Sequence, residues 1–180
     1  MMTDSRMWPC VLSVLLVIVF LWYGLSYNLF LPYILHSDVD FYYVLGAASV
    51  FEADQLPRFN HPGINVMLGV AWLQAWLSQF PAVPNAGISH LAASENPART
   101  LLEMVNVGKL FNTIMGGIYL WLVYRISQIS LNNRLASCVV VAYFFLTVGV
   151  LELMFSVRPE LLSAVCLLGV MYLYSKIRAI

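Results

Sequence analysis

Five apolar stretches, each long enough to cross or enter a lipid bilayer, occupy most of this 180-residue chain. A hydrocarbon core about 30 Å thick takes about 20 mostly apolar helical residues to cross. Lipid offers no partner for backbone N–H and C=O groups, so such segments fold as helices. The first runs from about Pro9 to Leu31 and holds the run Val11 to Trp22, interrupted only by Ser13. It is longer than a signal-peptide core and no small-residue cleavage site follows, so it is expected to stay as an anchor. The second opens at His61-Pro62-Gly63 and reaches about Phe80. The third covers Met104 to Ile126, the fourth Leu135 to Phe155 and the fifth Glu160 to Tyr174. The expected fold is all-α, a polytopic transmembrane helical bundle of four to five membrane segments, with residues 1–180 forming a single membrane domain.

Composition excludes the main alternatives. With 61% hydrophobic and 10% charged residues, and a mean hydropathy of +0.81, the chain lies outside the range of soluble domains. A net charge of zero leaves no basic surface for nucleic acid. Cys10, Cys138 and Cys166 lie in or beside apolar runs without metal-like spacing and read as small buried apolar side chains.

Lysine and arginine between the spans set the orientation. Arg125 and Arg134 bracket the turn between the third and fourth segments, and Lys176 and Arg178 end the fifth, so both clusters are expected in the cytoplasm; Arg6 adds the N-terminus. Loop 36–60 and the turn Arg158-Pro159-Glu160 then share the extracytoplasmic face. Strict alternation of five full spans contradicts this arrangement. Either segment 61–80 is re-entrant or strongly tilted, or a further short crossing lies within 81–103.

Polar residues cluster at that face. His36-Ser37-Asp38-Val39-Asp40-Phe41-Tyr42-Tyr43 follows the first span, and Arg58-Phe59-Asn60-His61-Pro62-Gly63 comes about twenty residues later. Ser37 with Asp40 fits a capping box, and Phe41, Val44, Leu45, Ala48 and Phe51 recur at helical spacing. An amphipathic juxtamembrane helix is expected from about Asp38 to Ala53, with both aspartates in its first turn, where the helix dipole favours negative charge. The bland alternative is that Asp38 and Asp40 only cap this helix. On the third segment Asn106, Lys109 and Asn112 or Thr113 form one polar stripe. Lys109 either snorkels to the surface or aims a cation at an anionic lipid headgroup. Pro159 suits the first turn of the last helix and Glu160 its N-terminus, while Arg158 can pair structurally with Glu152 or Glu160.

This order of an apolar anchor, Asp-x-Asp-x-Tyr-Tyr, a juxtamembrane helix, His-Pro-Gly and a later Arg-Pro-Glu resembles the start of the membrane-embedded GT-C glycosyltransferases. The likeness is greatest to the branch of dolichyl-phosphate-mannose protein mannosyltransferases and bacterial aminoarabinose transferases. Asp38 and Asp40 match the family's acidic pair in the first extracytoplasmic loop, and His61-Pro62-Gly63 stands where members often have His-Pro-Pro. Lys109 takes the place of a basic residue that is usually arginine, and Glu160 matches a second acidic position.

The resemblance implies transfer of a sugar from a polyprenyl-phosphate donor to an acceptor on the extracytoplasmic face. One carboxylate as general base would suffice, because the lipid phosphate is an adequate leaving group, with cations meeting the charge that develops on it. On that reading Asp38 or Asp40 is the base, Lys109 and Arg158 contact phosphate, His61 and Arg58 donate to sugar or phosphate, and Glu160 orients the acceptor or holds Arg158. A divalent metal is possible at Asp-x-Asp, and no cofactor is otherwise specified. Family members usually carry more spans, so the chain is expected to be the N-terminal part of a larger module or to need a partner subunit. The implied location is an integral, multi-pass position in a bacterial-type inner membrane more than in the endoplasmic reticulum. The competing class is a non-enzymatic membrane component, either part of a transporter or a lipid-binding scaffold. A transporter would place its ionisable groups near the bilayer midplane. A glycosyltransferase would gather Asp38, Asp40, Lys109 and Arg158 at the extracytoplasmic surface.

Overall fold

Asparagine and proline set where the longest helices begin. Asn96 caps the helix that starts at Pro97, its side chain accepting from the Arg99 amide at 3.1 Å. Asn133 caps the next in the same way, accepting from the Ala136 amide at 3.1 Å. Both satisfy amide groups that a first turn otherwise leaves open. The computed structural model describes residues 22, 38–50, 52, 63–80, 87–147, 153 and 156–178.

Six helices are described end to end: α1 Asp38–Ser49, α2 Ile64–Leu77, α3 Ile88–Ala93, α4 Pro97–Leu131, α5 Arg134–Leu146 and α6 Pro159–Arg178. There is no strand among the described residues. Helices α4 and α6 are long and apolar enough to cross a membrane, which points to membrane association. Of the expected first span only Trp22 is described, and the rest of it, together with Arg58 and His61, lies outside the described residues. The expected second span is a helix of only 14 residues, about 21 Å long and short of the hydrocarbon core. Between residues 87 and 103 the chain forms the six-residue α3 and the first turns of α4, too short for the further crossing considered above.

Helices α4, α5 and α6 form an up-down-up unit. Asn132 adopts a left-handed conformation (φ 47°) and donates its amide to Gln128 at 3.0 Å. This cap turns the chain within two residues, so α5 runs back along α4. Tyr119 of α4 meets Phe144 of α5 edge to face, with centroids 6.4 Å apart. Helix α6 then runs parallel to α4. Its first turn, at Leu161, packs with Met115, Tyr119 and Leu120, and Tyr172 stacks edgewise on Trp121 at 5.7 Å. The Arg125 guanidinium also lies 6.0 Å over the Tyr172 ring. Arg125, Arg134, Lys176 and Arg178 therefore gather at one end of the unit. Cys138 is buried as expected; Cys166 is exposed on α6, whose surface there is apolar and unpacked.

The other end carries the main core. Tyr43, Val44, Ala47 and Ala48 of α1 pack with Val66, Met67, Val70 and Ala71 of α2, Met104 and Val105 of α4, and Val157. The buried face of α1 differs from the expected one. Leu45 is exposed and Asp40 is buried, so the inward stripe is 40, 43, 44, 47 and 48, turned by about one residue because the carboxylate goes inside with the apolar groups.

Candidate functional site

Position 40 lies three and four residues before Tyr43 and Val44, so any helix that buries those two side chains carries Asp40 in with them. A buried carboxylate must be partnered, and here both oxygens are. Asp40 Oδ1 accepts from the Val157 amide at 2.7 Å. Oδ2 stands 3.6 Å from Lys109 Nζ, with the two side chains only 3% and 2% exposed. Lys109 therefore does not snorkel. It belongs to a buried ion pair joining α1 to α4, and Asp40 is more than a helix cap.

The turn before α6 is held from its other side by Asn112. Its side-chain amide donates to the carbonyls of Leu153 and Arg158, each at 3.3 Å, and to that of Ser156. The next residue, Thr113, donates from Oγ1 to the Lys109 carbonyl one α4 turn earlier, at 2.8 Å, closing the stripe on itself. Donor and acceptor are matched: a carboxylate takes the turn's free amide, and a carboxamide serves its free carbonyls. Gly108 makes the approach possible. A side chain there would come within 2.9 Å of both Val157 Cγ2 and Val44 Cγ2, so only glycine lets α1 and the turn close on α4.

Tyr43 joins the site. Burial pushes its phenol above the ordinary value, the Glu160 carboxylate adds to the rise, and the Arg158 guanidinium opposes it. Arg158 and Glu160 closely follow Val157, which packs in one core cluster with Tyr43. Arg158 is half-buried; Glu160 is exposed in the first turn of α6. Asp38 begins α1, though its side chain lies outside the described set. Of the sequence candidates, then, Asp40, Lys109, Arg158 and Glu160 come together. His61 and Arg58 are not described.

Tyr43 and Asn112 were not singled out as site residues, although the i, i+3 spacing of Asp40 and Tyr43 was a visible signal for one of them. Among the described residues no three His, Cys, Asp or Glu side chains converge as a metal site requires. A divalent cation at Asp40 does not fit its contacts, because both oxygens are engaged and Lys109 already supplies the positive charge. No protein-family model, curated protein or solved structure matches this chain.

Proposed function

We propose that the chain is the membrane module of a glycosyltransferase that uses a polyprenyl-phosphate sugar on the extracytoplasmic face. Its bundle crosses through the expected first segment, α4 and α6, and the 13-residue α5, too short to span as a helix alone, belongs to the return from the cytoplasmic end of α4 to the start of α6. The observation that carries this reading is the meeting of Asp40, Lys109 and the 156–158 turn at the end of the helical unit opposite Arg125, Arg134, Lys176 and Arg178. Cytoplasmic placement of the basic end puts the site outside. Helices α1, α2 and α3 then belong to one extracytoplasmic segment between the first crossing and α4, and the conflict in alternation disappears.

Depth supports the choice of a lipid phosphate. The large exposed apolar side chains of α4 begin at Ile114, which marks the extracytoplasmic boundary of its apolar surface. Lys109 lies about 8 Å beyond that boundary along the helix, level with headgroups.

In the proposed reaction the base is Asp38. Asp40 is committed to its buried ion pair, which leaves Asp38, the first residue of α1, as the carboxylate for the chemistry. Asp38 takes the proton of the acceptor hydroxyl as its oxygen attacks the anomeric carbon. The sugar–phosphate C–O bond breaks, and polyprenyl phosphate leaves with the electron pair. Arg158, at the N-terminus of α6, meets the phosphate charge, where a guanidinium and a helix dipole both favour an anion. Lys109 is committed to Asp40 and acts by holding the site together.

One feature favours the second reading, a non-enzymatic membrane component such as a transporter part or lipid-binding scaffold: the Asp40 carboxylate is fully engaged, as a purely structural clasp would be. The test is transfer from radiolabelled undecaprenyl-phosphate mannose and undecaprenyl-phosphate aminoarabinose in membranes containing the chain. Consumption of a donor, lowered about 100-fold by Asp38→Asn with insertion unchanged, is the expected result. An inserted protein that consumes neither donor supports the scaffold.

A further inference from the structure

Helix α2 carries no charged residue from Ile64 to Phe80, and its two faces differ in a way that its core role does not explain. One face, with Val66, Met67, Val70 and Ala71, is buried against α1 and α4. The other presents Leu68, Trp72, Trp76 and Phe80, which are 41%, 72%, 52% and 53% exposed. These four recur at intervals of four residues and make one continuous stripe. Trp76 and Phe80 meet edge to face at 5.7 Å, which stiffens its end.

Height along α4 says what covers this stripe. The ring of Phe111 fills the space beside Gly69, so α2 is fixed at the level of Phe111. One turn further on, at Ile114, the exposed apolar surface of α4 begins. The stripe therefore starts within about one α4 turn of the upper edge of that apolar surface. It is built of the residue types that settle at membrane–water interfaces, on a helix too short to span.

We propose that α2 is a lipid-seated anchor whose Leu68–Trp72–Trp76–Phe80 stripe lies in the headgroup–acyl boundary of the leaflet facing the site. Through Gly46 against Met67 and the shared core, this seat holds α1, and with it Asp38 and Asp40, at a fixed height above the membrane. The inference rests on the membrane placement proposed above and is independent of the transfer chemistry.

The test uses single-tryptophan versions of the whole chain in phosphatidylcholine–phosphatidylglycerol vesicles, retaining Trp72, Trp76 or Trp121 and replacing the others with Phe. The quenchers are lipids brominated near the headgroup or near the chain end. Trp72 and Trp76 are expected to be quenched at least about twofold more by the shallow bromines, and Trp121, about 10 Å below Ile114, more by the deep ones. Deep quenching of Trp72 and Trp76 would make α2 a membrane-penetrating segment and overturn the proposal. So would no quenching of either while Trp121 is quenched, which would mean that protein covers the stripe. Loss of quenching at Trp121 as well would instead refute the membrane placement itself. A chain that retains all its tryptophans, labelled at Asn65→Cys with an environment-sensitive dye, gives a second reading of depth free of the Trp→Phe changes.

Discussion

Removing either member of the Asp40–Lys109 pair should cost more than removing both. At 3.6 Å and an effective dielectric of about 20, the attraction is about 4–5 kcal/mol. Loss of one partner strands the other charge inside, at a cost of about 3–5 kcal/mol. Asp40→Asn is the sharper probe, because its remaining side-chain oxygen can still accept from the Val157 amide now bonded at 2.7 Å, so the change isolates the charge. Lys109→Met keeps the apolar stem and removes the ammonium. In the double variant no charge is buried and the amide keeps its acceptor, so the combined loss should be about 1–3 kcal/mol and the coupling about 3 kcal/mol or more. The assay is reversible unfolding in mixed detergent micelles of the four proteins in the cycle. Single-variant losses that add to within about 0.5 kcal/mol would refute a mutually dependent buried pair.

Two further outcomes follow from neighbouring contacts. Asn112→Leu leaves the carbonyls of Leu153, Ser156 and Arg158 without their donor and should cost about 1–3 kcal/mol; unchanged stability, with no faster proteolysis at 153–158, would show that the clamp contributes nothing. Glu52 is bonded by the Ser89 hydroxyl and amide, at 2.5 and 2.8 Å, and these bonds hold its carboxyl below the usual value of 4.5. A lowered folded value means that the tie to α3 is complete above the unfolded value and is lost as pH falls through the folded one. Protection of the Ser89 amide relative to its intrinsic exchange rate should fall in acid in the wild type, whereas in Glu52→Gln it should already be low near neutral pH; matching protection profiles would sink the linkage.

Much of the helical pattern was readable because caps and periodicity act locally. Pro159 and Glu160 opened α6 as expected, and the Asn132-Asn133 turn fell between two apolar periods. The failures came where tertiary contact decides. The apolar period suggested that Leu45 would face inward, but a partner on α4 made burial of Asp40 affordable and rotated the helix. Lys109 looked able to snorkel because nothing in its own segment reveals a carboxylate sixty-nine positions earlier. The second segment looked membrane-length by composition, yet its helix ends at Leu77 and its other face is core. Asn112 was visible as part of a polar stripe, but its role in gripping the 153–158 turn depends on contacts forty-one or more positions away.

The two aspartates of the Asp-x-Asp stretch cannot do the same work. Helical geometry separates side chains two residues apart by about 200° of rotation, so the two acids do not share one environment. Asp40 is the buried one, and its partners come from α4 and from the approach to α6, both of which lie far along the chain. Its carboxylate thus fixes the distance between α1 and the approach to the N-terminus of α6. Arg158 directly follows the bonded Val157, and its own carbonyl is held by Asn112 of α4. A buried, dry ion pair is a physical means of keeping elements from distant parts of the chain at a constant separation. Of the Asp-x-Asp pair, Asp40 is thus the carboxylate that sets position, as its burial and its two partners support.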